Sequence, residues 1–243
     1  MKKSRRNFSS FYSYSQTTEY DSIALPPIQE IQIDCDWTPK SKENYFYFLN
    51  ELKTINQEKE ISVTLRLWQL KYQDKAGIPP VEKVMLMCYS TGNPQEYNID
   101  NSLASFEAIK PYVENQSYDL HVDIALPVYS WSVLFRNKKF KGIIRDLDPE
   151  IVKQDTFLFQ RLKENLYLFK TDTVIENTYI RYGDEIRLES FSQTDMDKLI
   201  KLLKKEKLHN SGSTISLFSW DTTYIKNYGY ENIESYYNNL IIR

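Results

Sequence analysis

Asp34 and Asp36 are the residues of this chain best placed, by type and spacing, to do chemistry. They lie in Glu30-Ile31-Gln32-Ile33-Asp34-Cys35-Asp36-Trp37, where polar and apolar residues alternate. Alternation marks a β-strand, so Glu30, Gln32, Asp34 and Asp36 share one face and Ile31, Ile33 and Cys35 share the other. Carboxylates at i and i+2 stand about 6.6 Å apart along a strand. At that separation both reach one ligand or share one proton, as a general acid and its partner base must. A structural reading competes with this one. Arg66 lies on the matching face of the next alternating stretch, and an interior Asp–Arg pair often serves the fold. Arg66 either clamps an anionic group or neutralises the aspartates.

Three further sets of residues carry weaker signals. Tyr89 and Trp220 stand at the ends of alternating stretches, where an aromatic ring either receives a flat ligand or packs. His121 and Asp123 share a face and make either a proton relay or a simple orienting pair. A metal held by Asp34, Asp36, Asp123 and His121 would need ligand spacing that the chain does not show, so neither metal nor other cofactor is expected. No Gly-rich phosphate loop follows any strand, which argues against a nucleotide. Glu82 precedes its strand and is expected at the far end from the chemistry. Two cysteines, Cys35 and Cys88, cannot build a disulfide framework. Both fall on the apolar parity of their strands and read as small buried hydrophobes.

These residues need elements to hold them. Four more alternating stretches follow the first: Ile61–Trp68, Lys83–Ser90, Leu120–Pro127 and Ser213–Trp220. Helical periodicity fills the gaps, with Tyr45, Phe48, Leu49, Leu52 and Ile55 after a Thr38-Pro39 or Ser41 cap, and a helix over about 102–114 that Pro111 could end early. An excursion of roughly 80 residues separates the last two strands, far beyond an ordinary loop. It holds hairpin-like Val133–Arg136 and Phe140–Ile144, extended Asn165–Lys170 and Glu185–Glu189, and a helix over about 194–208 with Met196, Leu199, Ile200 and Leu203 on one side. Strand and helix in alternation is the pattern of a parallel α/β fold. A strand with one polar and one apolar face suits a barrel wall better than an open sheet apolar on both sides.

In this order the residues resemble a family. Asp34-Cys35-Asp36-Trp37 resembles the end of the aspartate-rich fourth-strand motif of family 18 chitinase-like barrels. Met87-Cys88-Tyr89 resembles their sixth-strand Met-x-Tyr, Ala125-Leu126-Pro127-Val128-Tyr129 their seventh-strand Pro-x-Tyr, and Trp220 the eighth-strand tryptophan that floors a sugar site. The chain also resembles uncharacterised bacterial proteins with chitinase-like barrels, filed as a domain of unknown function, through Ile31–Asp36 and a Pro-Pro-Val-Glu lead into the third strand. The resemblance implies an α/β fold, an incomplete (β/α)8 TIM barrel of strands four to eight, with an α+β insertion before the last strand. It divides the chain into a tail or lead-in over 1–27 and a partial barrel over 28–243, with the insertion at about 133–192. It implies a glycoside-hydrolase-like protein acting on a polysaccharide or glycan, with Asp34 and Asp36 catalytic and Arg66, Tyr89, Tyr129 and Trp220 holding substrate. The alternative is a non-catalytic glycan-binding or structural barrel, because the family's general acid is replaced by Thr38 and its acid after the tyrosine by Ser90.

Eight βα units fill about 250 residues, so three need on the order of 90, and only 27 precede Ile28. The expectation is a chain lacking three barrel strands, with exposed sheet edges that a second copy or the missing half of the barrel covers. Composition is that of an ordinary globular protein, at 41% hydrophobic and 26% charged with net charge −2, and does not imply a nucleic-acid partner. The start, Met1-Lys2-Lys3-Ser4-Arg5-Arg6, is followed by no apolar stretch, so the chain as written reads as soluble with no complete signal peptide; a start further upstream would leave export or lipid anchoring open. No segment is long and apolar enough to span a bilayer.

Overall fold

A computed structural model describes residues 27–145, 147–175, 177–219, 224 and 228–240. Five strands form one parallel sheet: β1 (Glu30–Ile33), β2 (Glu60–Arg66), β3 (Lys83–Met87), β4 (His121–Pro127) and, after the excursion, β12 (Ile215–Phe218). Their spatial order is their chain order. An open doubly wound sheet reverses order at a switch point; a barrel wall does not. The chain is a mixed α/β protein with a curled, parallel half-barrel sheet.

The register explains the two-faced pattern. Ile33, Val63, Val84 and Val122 lie in one row, and Leu65, Leu86, Ile124 and Ile215 in another. These residues face the helices and build the main core. Each fully buried aliphatic among them contributes about 1.5–3 kcal/mol. The helices lie side by side on that face: α1 (Lys42–Ile55), α2 (Leu67–Lys71), α4 (Phe106–Val113), α6 (Gln193–Glu206) and α7 (Tyr230–Leu240). The short α3 (Gln73–Ala76) follows α2 directly. The opposite face carries Ser62, Thr64, Met85, Met87, Asp123 and Ala125, a polar and soft-apolar lumen side.

The excursion folds on itself. Strands β5 (Ser130–Arg136), β6 (Lys139–Ile144), β7 (Phe159–Arg161), β8 (Leu166–Phe169) and β11 (Glu185–Ser190) form an antiparallel sheet in the order β6-β5-β11-β8-β7. A small hairpin, β9 (Thr173–Ile175) with β10 (Thr178–Ile180), and helix α5 (Pro149–Gln154) complete it. Phe159, Tyr167, Phe169, Ile180 and Ile186 give this sheet a core of its own. Its strands begin at Ser130 and end at Ser190.

Several local expectations are corrected. The first strand stops at Ile33, because its ladder to β2 ends there, so Cys35 leaves the apolar face and is exposed. Cys88 is buried as expected. Trp68 lies in α2, since the chain turns helical at Leu67. The third strand ends at Met87, and Ser90 adopts a left-handed φ of 59°. Pro111 sits inside α4 without ending it. The lead-in over 1–26 and Trp220 fall outside the described residues.

Candidate functional site

The carboxyl ends of the parallel strands open on a cleft of about 640 Å3. The loop after β1 enters it with Asp34 and Asp36. Trp37 anchors that loop: it is buried, stacks on Tyr45 at 5.3 Å, and its indole N–H donates to the Ala76 carbonyl at 2.9 Å. Gln69 completes the anchor. Its amide nitrogen donates to the Trp37 carbonyl at 3.0 Å and its oxygen accepts from the Arg66 backbone N–H at 2.7 Å. The two aspartates are thus exposed side chains on a fixed backbone, the condition for a preorganised polar site.

The aspartates have different partners. The Thr64 hydroxyl donates to Asp34 Oδ1 at 2.8 Å. Arg66 grips Asp36 with two donors, Nε on Oδ1 at 2.6 Å and Nη2 on Oδ2. The expected Asp–Arg pair therefore exists, but it takes Asp36 alone. Its geometry is the bidentate fork that suits guanidinium to carboxylate. The Arg66 guanidinium is held above its usual range, first by the hydrogen bond to Asp36, against its own burial, with the charges of Asp36 and Asp34 adding to the effect. Among the described residues Asp34 has no cationic hydrogen-bond partner.

Aromatic side chains build the facing wall. Tyr89 stacks on Phe218 at 4.9 Å, and Tyr129 meets both edge-on, at 6.0 and 5.2 Å. Trp131 adds a fourth ring, 5.4 Å from Tyr129. Burial pushes both phenols up, Tyr129 to about 12, so each stays a neutral hydroxyl. The Ser90 side chain hydrogen-bonds the Tyr129 hydroxyl, which opposes that rise. The loop carrying Ser90 is pinned to Leu103, whose carbonyl accepts from the Ser90 N–H at 2.6 Å. Gly92 follows at a close approach, where a Cβ would stand 3.0 Å from the Ser102 Cα and the neighbour would have to give way.

Of the residues expected at the site, Asp34, Asp36, Arg66, Tyr89 and Tyr129 meet in this one cleft. Trp220 lies outside the described residues, and Phe218, two positions earlier on the same strand parity, supplies the stacking ring. Trp68, Tyr112, Trp131, Arg145 and Tyr224 also line the cleft and were not singled out as site residues. Trp68 and Trp131 were visible as lone tryptophans at element ends; Tyr224 and Arg145 carried no local signal. Thr38 begins the turn into α1, where its carbonyl accepts from the Ser41 and Lys42 N–H groups.

His121 and Asp123 do not join the cleft. They lie toward the opposite end of the lumen side, 3.2 Å apart, where Asp123 accepts from the Thr214 N–H at 2.7 Å. Lys83 sits among Glu30 at 2.7 Å, Glu60 at 3.4 Å and Asp123 at 3.7 Å. Asp123 is three strands from Asp34, about 14 Å at the usual spacing, so the four candidate metal ligands do not converge. Among the described residues no cluster of three such side chains could hold a metal. Glu82 pairs with Lys53 at 2.7 Å, away from the cleft.

Comparison with known proteins adds little. No family model matches the sequence, and no curated protein matches it. Among solved structures, the spore cortex-lytic enzyme SleL of Bacillus cereus matches at 12% identity and a TM-score of 0.48, over 88% of this chain and 49% of that one. This chain thus spans about half the length of that structure. No helix among the described residues is long and apolar enough to cross a membrane.

Proposed function

We propose that this chain is a glycan-binding protein built on a glycoside-hydrolase-like half-barrel, with the strand-end cleft as its sugar site. The observation that carries the reading is the pairing of two unlike walls. Tyr89, Phe218, Tyr129 and Trp131 form one, and Asp34 with the Asp36–Arg66 pair forms the other. A pyranose ring presents C–H faces to aromatic rings and hydroxyl edges to carboxylate and guanidinium, so one ligand class satisfies both walls. The strand-end position agrees with where barrel proteins keep their sites, although a barrel by itself implies no one function.

A second reading is hydrolysis. What favours it is Asp34, a cleft-facing carboxylate whose hydrogen bonding among the described residues is limited to the Thr64 hydroxyl. Asp36, with both oxygens engaged by Arg66, serves as electrostatic support in that reading. Glycan-array binding with Phe218→Ala and Asp34→Ala tests the first reading. Binding that both substitutions weaken supports it; no bound glycan, or binding indifferent to both, rejects it. Turnover of a bound glycan that Asp34→Asn abolishes would add the second reading.

A further inference from the structure

We infer that Asp34 selects a protonated amine, so that the cleft takes a de-N-acetylated amino sugar in preference to a neutral or N-acetylated one; this rests on the glycan reading of the cleft and names the sugar. Among the described residues the lining carries four charged side chains, Asp34, Asp36, Arg66 and Arg145. Asp36 and Arg66 cancel in their two-point pair. Arg145 has interactions of its own and stands toward Tyr129, where its charge opposes the upward shift of the phenol. Asp34 has the Thr64 hydroxyl at 2.8 Å, and among the described residues no cation hydrogen-bonds it. A hydroxyl meets one lone pair of a carboxylate and leaves its charge unanswered. The β1–β2 end of the cleft thus holds two carboxylates against one guanidinium.

Arg66 does not answer both aspartates. Its Nε and Nη2 point at Asp36 in a planar fork, and a fork so occupied has its direction fixed. The charge of Asp34 acts on Arg66 only behind the bond to Asp36 and the Asp36 charge. The backbone beside Asp34 is anchored through Trp37 and Gln69, so its carboxylate belongs to the cleft by construction. Aromatic rings border it. Trp68 lines the cleft two positions after Arg66. Tyr89 stands close enough for the Asp34 charge to add to the upward shift that burial and Tyr129 give its phenol. Phe218, 44% exposed, offers its ring beyond Tyr89. Aromatic rings beside a carboxylate make a setting that proteins use for ammonium ligands. The sugar substituents that could stand here differ in what they offer. A hydroxyl is neutral, an acetamide adds one neutral N–H, and an ammonium brings three donors and the missing charge. A charged donor makes a hydrogen bond about twice as strong as a neutral one, so the preference falls to the free amine.

The test is a three-way comparison on one backbone. Calorimetric titration at pH 6 uses four-unit β-1,4-linked oligomers of glucosamine, N-acetylglucosamine and glucose. The glucosamine oligomer is expected to bind tenfold or more tighter than either of the others. Asp34→Asn, which keeps the shape and removes the charge, is expected to bring the three affinities within threefold of one another. Should that variant fail to fold or to bind, the native chain is read at pH 9, where the sugar amine is neutral and the tenfold preference is expected to vanish. The groups that face Asp34 are Thr64 and Arg66 of β2, Cys35 and Asp36 of its own loop, Tyr45 of α1 and Tyr89. Arg66 and both phenols are held above their ordinary ranges, and Cys35→Ser takes the thiol out of the titration, so the amine is the group that changes. A glucosamine oligomer that binds no tighter than the other two overturns the inference and leaves the glycan reading standing. A preference that survives Asp34→Asn, or that persists at pH 9, overturns it as well. If none of the three oligomers binds, the glycan reading fails and this inference falls with it.

Discussion

Two arginine–carboxylate pairs among the described residues, Arg66–Asp36 and Arg187–Glu189, have opposite surroundings. Arg66 and Asp36 meet at the mouth of the cleft, with side chains 40% and 45% exposed and only each other to satisfy across the gap. Arg187 and Glu189 meet inside the second sheet, 2.6 Å apart, with side chains 2% and 0% exposed. Every part of the buried pair is occupied. Arg187 donates to the carbonyls of Glu96, Tyr97 and Pro94 and lies over the Phe135 ring at 4.9 Å. Glu189 accepts from the Ser102 N–H and hydroxyl, the Leu103 N–H and the Trp131 indole. The same chemistry is therefore a clasp in one place and an open hand in the other. A saturated pair has nothing left for a ligand, whereas a half-exposed pair beside an aromatic wall can accept hydroxyls at its edges. The two are linked, because Glu189 orients Trp131 and steadies the Leu103 segment that holds Ser90.

The sharpest way to break the contrast is to remove one carboxylate from each pair. Glu189→Ala leaves Arg187 buried without its carboxylate and also strands three donors, the Ser102 N–H and hydroxyl and the Trp131 indole, while the Leu103 N–H keeps Asn101 Oδ1 at 2.9 Å. Loss of one partner from a buried pair costs about 3–5 kcal/mol, and urea unfolding is expected to show a loss of that size. Replacing both members, as Arg187→Met with Glu189→Leu, should recover only part of it, since the stranded donors remain. Full recovery in the double variant would mean that Glu189 acts on Arg187 alone.

At the cleft the balance reverses. Asp36→Asn and Arg66→Ala each remove a pair in contact with solvent, worth about 0–1 kcal/mol. Stability is expected to change by no more than that, while glycan affinity falls tenfold or more in both variants. A stability loss matching that of Glu189→Ala would make Asp36 and Arg66 a second clasp and take the aspartate out of the site.

Lys83 and its carboxylates lie between these extremes and are reached through pH. Burial, the largest influence on Glu30, raises its carboxyl, but the hydrogen bonds from Lys83 and Ser62 and the Lys83 charge outweigh it and hold it below its ordinary 4.5. Lys83 is likewise lowered first by burial, yet its bonds to Glu30 and the nearby charges of Asp123 and Glu60 raise it above 10.5. A lowered carboxyl stabilises the fold above its unfolded value and loses that contribution as pH falls through the folded one; a raised lysine does so below its unfolded value and loses it as pH rises. The cluster therefore contributes in full between about pH 4.5 and 10.5. Lys83→Met should flatten the loss of stability on the acid side of that window, measured by thermal melting across pH. An unchanged acid slope would show that Glu30 does not carry it.

What could be read from the sequence follows from this division. The five strands of the parallel sheet and the convergence of Asp34, Asp36, Arg66, Tyr89 and Tyr129 were legible because a half-barrel wall alternates strictly, and because parallel strands bring their ends to one side. The length of β1 was not legible: Cys35 keeps the alternation in sequence after the ladder has stopped. The five-residue α2 is hidden behind an alternation running through Trp68. Glu189 was missed as a hub although Glu185, Arg187 and Glu189 alternate with Ile186 and Leu188, a pattern that places three charges on one strand face. The burial of Arg187 and Glu189 depends on the 94–103 segment, some 86 to 93 residues earlier, and local pattern carries no such information.

The smallest expected effect uses the two thiols as reporters of the same two environments. Cys35 is exposed on the loop after β1, between the two aspartates in sequence, whereas Cys88 faces the core, where burial pushes its thiol up to about 12. Thiolate is the reactive form, so burial slows Cys88 twice, by access and by ionisation. A disulfide-exchange reagent should therefore titrate one thiol in the folded chain and two in denaturant. Modification of Cys35 should leave stability within about 0.5 kcal/mol, as surface changes usually do. A glycan seated beside Asp34 and Asp36 should slow the reaction of Cys35 severalfold and leave that of Cys88 unchanged. Two fast thiols in the folded chain would mean that the core over Cys88 opens. A Cys35 rate indifferent to a bound glycan would place the ligand away from the β1 loop and against the aromatic wall alone.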